Sequence, residues 1–139
     1  MDRTDILSTF DLTGRVAIVT GGSRGIGRAV SEGFAAMGAD VVVASRKAAA
    51  CEEVARSIRD AGGSAVAVPT HMGDLGAVAE LVEVTVERFG GVDVVVNNAA
   101  NPLALPIGSI TPDALAKSHD VNLRGPLFLV QEALPHLRA

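Results

Sequence analysis

The chain has 139 residues, 48% hydrophobic but only 3% aromatic, with no Trp or Tyr, and a formal net charge of −4 from 12 basic and 16 acidic residues. That length holds one domain at most, with enough core for stability packed by small aliphatics rather than rings. No basic stripe invites nucleic acid, Cys51 has no second cysteine to pair with, and neither a secretory leader in residues 1–12 nor a membrane-length apolar run is present, so a cytoplasmic protein with no membrane partner is expected.

Residues 1–12 read as an N-terminal extension and residues 13–139 as one domain. Arg15 leads into Val16, Ala17, Ile18 and Val19, the composition of a strand covered on both faces. Gly21, Gly25 and Gly27 then form a tight turn into a helix, where Ile26, Val30, Phe34 and Met37 recur near helical spacing and are expected to face the core. Gly38 stops that helix. A second strand, Val41, Val42, Val43 and Ala44, ends at Ser45, Arg46 and Lys47. Cys51, Val54, Ala55 and Ile58 mark the next helix, closed by Gly62 and Gly63. Ala65 to Val68 is the third strand, stopped by Pro69. Asp74 caps a third helix whose apolar face is Leu75, Val78, Leu81, Val82 and Phe89. Residues 92–96 are the fourth strand. After a Pro- and Leu-containing loop, Thr111 and Pro112 start a short helix to about His119. Another begins near Asn122 and carries Leu127, Val130, Leu134 and Leu137, with Pro135 kinking or ending it.

Strands alternating with helices imply right-handed crossovers and a doubly wound α/β parallel sheet. Its order should be 3-2-1-4, with a cofactor across the C-terminal strand ends. The glycine turn, Gly21, Ser23, Arg24, Gly25, Ile26 and Gly27, meets a helix N-terminus, where free N–H groups and the dipole suit a pyrophosphate. Its spacing is not the G-x-G-x-x-G of the general dinucleotide rule. At the end of the second strand a carboxylate would bind the adenosine ribose and repel a 2′-phosphate. Ser45 and Arg46 stand there instead, with Arg24 as a second cation, which favours NADP over NAD.

Thr20-Gly21-x-x-x-Gly25-x-Gly27, Asn97-Asn98-Ala99, Asp120-Val121-Asn122 and the lead-in from Leu12 to Val16 together resemble the short-chain dehydrogenase/reductase family, from about Phe10 onward. The resemblance implies a Rossmann-type fold and an NADP-dependent oxidoreductase moving a hydride between nicotinamide and a carbonyl or alcohol substrate. It puts Asn98 and Ala99 beside the cofactor ribose, His71 and Met72 at the adenine, and Asn122 in the catalytic proton relay. Family members carry an aspartate where His71 stands. His71 has no second ligand at metal spacing, so no metal is expected. Ala100 replaces a family glycine and costs roughly 1 kcal/mol if its φ is positive. The family's catalytic serine and its Tyr-x-x-x-Lys have no counterpart among these residues. The chain is therefore expected to be the N-terminal half of such an enzyme, truncated after the fourth strand and its following helices. It would be inactive alone, would use its small-molecule substrate only when completed, and would be homo-oligomeric in the complete form. The alternative is a noncatalytic nucleotide-binding or interaction protein of the same descent.

Overall fold

The computed structural model describes residues 1–137, so the last two residues of the expected domain, 138 and 139, lie outside the described residues. In chain order the elements are α1 (Arg3–Thr9), β1 (Val16–Thr20), α2 (Gly25–Ala36), β2 (Asp40–Ser45), α3 (Ala48–Asp60), β3 (Ser64–Pro69), α4 (Leu75–Phe89), β4 (Val94–Val96), α5 (Pro112–His119), a π-helical turn (Asp120–Arg124) and α6 (Gly125–Leu137). The strands are parallel and ordered β3-β2-β1-β4, as the alternating pattern requires.

Alternate strand residues point to opposite faces of the sheet and build two cores. Ile18, Val42 and Val68 pack with Val78, Leu81 and Leu129 beneath α4 and α6. Val19, Val41 and Val43 pack with Cys51, Val54 and Ile58 beneath α3, flanked by Val30 and Phe34 of α2. β1 is buried along its whole length, the composition expected of a central parallel strand. Among the described residues no helix is long and apolar enough to cross a membrane.

The expected boundaries shift where side chains intervene. β4 begins at Val94 rather than Val92, because the Asp93 carboxylate takes the Val16 N–H at 2.8 Å and pairs with Arg15 at 3.2 Å. β3 runs through Pro69, whose level pairs with Ser45. The helix α1 was not expected. It owes nothing to burial, only to a capping box in which Asp2 and Asp5 each accept the other's backbone N–H.

Two helix faces also differ from the pattern. On α2 the buried residues are Gly27, Ser31 and Ala35, while Ile26 is 78% exposed. Close approach of this helix to the glycine turn selects small side chains for the contact. On α6 the buried face is Gly125, Leu129 and Ala133, and Leu127 is 60% exposed. That helix is apolar on most sides, so periodicity alone does not choose a face; its small residues mark the side that approaches closely. The two C-terminal helices form one run joined by the π-turn, where the Gly125 N–H bonds the Asp120 carbonyl. Pro135 lies inside α6 without ending it.

Candidate nucleotide-binding site

The glycine turn takes its shape from two constraints. Gly21 and Gly25 have φ of +63° and +52°, which favour glycine at both positions. A Cβ on Gly27 would overlap the Gly21 carbonyl and lie 2.5 Å from Asn98 Nδ2. The turn then enters α2 through Arg24, an extended N-cap residue whose side chain makes no capping bond. The first-turn N–H groups therefore have no side-chain cap, and an anion would complement them.

Thr20 and Asn98 tie this turn to the end of β4. The Thr20 hydroxyl donates to the Val96 carbonyl at 3.2 Å and accepts the N–H groups of Asn98 and Ala99, each at 3.1 Å. Asn98 Nδ2 donates back to the carbonyls of Thr20 and Gly21 at 3.0 and 3.2 Å. Asn98 is thus a strut beneath the turn as well as part of its wall. No non-glycine residue described has positive φ, so the strain anticipated at Ala100 does not arise.

Next to the turn, at the end of β2, the Ser23 and Ser45 hydroxyls lie 2.7 Å apart and bonded. Ser45 Oγ also bonds the buried Cys51 thiol at 3.0 Å. Arg24, Arg46 and Lys47 are exposed, and none of the ion pairs among the described residues uses them. Their charge stands open to a ligand on this side. One strand further, the Thr70 N–H bonds the Ser45 carbonyl at 2.9 Å, so His71 and Met72 follow directly. His71 is exposed and its Nδ1 accepts the Gly73 N–H at 2.9 Å. Met72 is only 4% exposed and belongs to the core, with its carbonyl packed against Gly125.

Asn122 lies in the π-turn, and its amide is fully used. Oδ1 accepts the Asn101 N–H at 2.7 Å, and Nδ2 donates to the Asn101 carbonyl at 2.9 Å and to Ser118 Oγ at 3.1 Å. It therefore pins the segment after β4 to the C-terminal helices. Sequence reasoning assigned no role to Thr20, Asn101 or Ser118. A polar residue ending an otherwise apolar strand was the available signal for Thr20; the other two left none. Among the described residues no three His, Cys, Asp or Glu side chains form a metal-binding group.

One family model, described as short chain dehydrogenase, matches residues 15–139. A short-chain dehydrogenase/reductase of Arabidopsis thaliana is 39% identical over 127 residues, covering 91% of this chain and 50% of the relative. A solved dehydrogenase/reductase from Sinorhizobium meliloti is 34% identical with a TM-score of 0.92, covering 96% of this chain and 54% of that one. A metagenomic short-chain oxidoreductase solved in complex with NADP is 33% identical with a TM-score of 0.86, covering 91% of this chain and 57% of that one. The chain spans about half the length of the curated relatives it matches.

Proposed function

Because the chain belongs to the short-chain dehydrogenase family, we propose that it is the cofactor-binding half of an NADP-dependent oxidoreductase acting on a small carbonyl or alcohol substrate. The single feature that carries this is the cradle at the glycine turn, where the space a Cβ on Gly27 would fill is closed and an uncapped helix N-terminus opens beside unpaired cations. Such a cradle fits a dinucleotide bearing an extra phosphate. NADP, when bound, supplies or accepts the hydride.

The chain's own residues bind and orient it. Backbone N–H groups of the glycine turn and the first turn of α2 hold the pyrophosphate, apart from that of Gly22, which bonds the Ala44 carbonyl. Ser45, Arg46 and Arg24 hold the 2′-phosphate by hydroxyl and guanidinium contacts. Ile26, exposed beside the turn, covers the cofactor with apolar surface. Asn98 and Ala99 wall the ribose, and His71 faces the base, with the Met72 N–H as the only backbone group that residue has left to offer. Asn122 serves the proton relay through its main chain, since its amide is committed to Asn101. The residue four further on is Pro126, which has no N–H to offer the Asn122 carbonyl, and a relay water takes that place. The complete protein is cytoplasmic and homo-oligomeric in this proposal, the exposed Leu123 and Leu127 of its C-terminal helices offering a surface for a second copy.

Arg46→Ala is expected to weaken NADP by about 1.5–3 kcal/mol, the range for a hydrogen bond to a charged group, and to leave NAD nearly unchanged. Calorimetry with both cofactors checks this; equal losses would remove the 2′-phosphate assignment. Hydride transfer to a carbonyl leaves an alkoxide that needs a proton. These 139 residues contain no tyrosine to give it. The 139-residue polypeptide is therefore expected to oxidise no NADPH with carbonyl substrates, and sustained turnover by the purified polypeptide would contradict that.

A further inference from the structure

His71 is a group at the cradle whose hydrogen-bonding sense is decided by its neighbours. Its Nδ1 accepts the Gly73 N–H at 2.9 Å. A neutral imidazole carries one ring proton, and an accepting nitrogen cannot bear it, so Nε2 is the N–H. The outer edge of the ring is therefore a donor. Its loop is held from several sides. The Asp74 N–H bonds the His71 carbonyl at 2.9 Å, Arg124 Nη2 donates to the Gly73 carbonyl at 3.1 Å, and Gly125 lies so close to the Met72 carbonyl that a Cβ there would overlap it.

Position follows from the sheet. In the order β3-β2-β1-β4 the glycine turn follows β1, Ser45 ends β2, and His71 lies two residues beyond the end of β3. The Thr70 N–H bonds Ser45 across that gap at 2.9 Å. A dinucleotide with its pyrophosphate on α2 and its adenosine ribose at Ser45 carries its base onward toward β3. The base then arrives at the exposed imidazole.

We propose that His71 meets the cofactor base as a hydrogen-bond donor, so that the site accepts a 6-oxopurine as readily as adenine. This rests on the dinucleotide assignment above. The 6-amino group of adenine is itself a donor and cannot pair with Nε2–H, which leaves only a ring nitrogen as its partner. Hypoxanthine presents an acceptor oxygen at the same position and keeps the N7 acceptor. A carboxylate at residue 71 would reverse the preference, accepting from the amino group and repelling the oxygen.

The test titrates the 139-residue chain by calorimetry with NADP and with nicotinamide hypoxanthine dinucleotide phosphate, at pH about 8. Dissociation constants within roughly 3-fold of each other are expected, less than the loss of one neutral hydrogen bond would produce. His71→Asp should then favour NADP by about 10-fold or more. NADP binding at least 10-fold tighter in the unaltered chain would overturn the proposal and leave the cofactor site standing. Binding of neither nucleotide would overturn the cofactor site, and this proposal with it. Should His71→Asp lose its cooperative unfolding transition, the ratio measured on the unaltered chain decides alone.

Discussion

Thr20→Val is expected to destabilise the protein by about 1–3 kcal/mol, the cost of leaving the half-buried Ala99 N–H without its acceptor, since the Asn98 N–H keeps the Val96 carbonyl at 3.0 Å. Thr20 is 1% exposed, and its hydroxyl accepts from Asn98 and Ala99 while donating to the Val96 carbonyl. Valine has nearly the same shape, so little cavity cost is mixed into the result. The loss falls where the sheet is least supported. β4 has only three residues, held to β1 by the pairings Ala17 with Val94, Ile18 with Val95 and Val19 with Val96. Denaturant unfolding of Thr20→Val beside Thr20→Ser, which keeps the hydroxyl, is the measurement. A loss under about 1 kcal/mol, below the usual cost of one unpaired buried donor, would mean that water replaces the threonine.

Gly27→Val should abolish detectable NADP binding and cost about 1–3 kcal/mol of stability, as overpacking a filled contact does. Its Cβ would overlap the Gly21 carbonyl and crowd Asn98 Nδ2, so α2 must withdraw or the turn must open. Either movement carries the helix N-terminus away from the pyrophosphate. Gly33→Ala on the same helix is the control, because a Cβ there meets nothing within 4 Å. It should be neutral or stabilising by up to about 1 kcal/mol through helix propensity. Cofactor titration and thermal unfolding of both variants check the pair, and normal binding by Gly27→Val would remove the pyrophosphate from this turn.

Most of the fold was legible because parallel strands buried on both faces are written as short apolar runs. Residues 16–19, 41–44 and 65–68 are such runs, and each lies inside an observed strand. The helix caps at Asp74 and Thr111 were equally legible, since a capping side chain acts on N–H groups two or three residues away. Faces were harder. α3 carries one apolar stripe and buries Cys51, Val54, Ala55 and Ile58 as its spacing demands. α2 and α6 bury glycine, serine and alanine at their closest contacts, and such residues add little to a hydrophobic pattern.

For the candidate site the division is similar. Gly21, Gly25, Gly27, Ser45, Arg46 and Asn122 were recognisable from local motifs, and the family match over residues 15–139 agrees with the kinship those motifs suggested. What each side chain touches was not recognisable.

By itself, the sequence determined the alternation of strand and helix and the glycine turn, because these follow from residue size and from contacts close along the chain, and the alternation in turn led to the sheet order through the rule for right-handed crossovers. Only the tertiary structure decided that Thr20 is bonded to Asn98, that Ser23 meets Ser45, that Asn122 holds Asn101 and that His71 turns a donor outward. The first three are hydrogen bonds between residues 78, 22 and 21 positions apart. The fourth is local, since Gly73 lies two residues from His71. Such bonds are directional and need heavy atoms within about 3 Å, a condition that chain order does not encode until packing has brought the strand ends together.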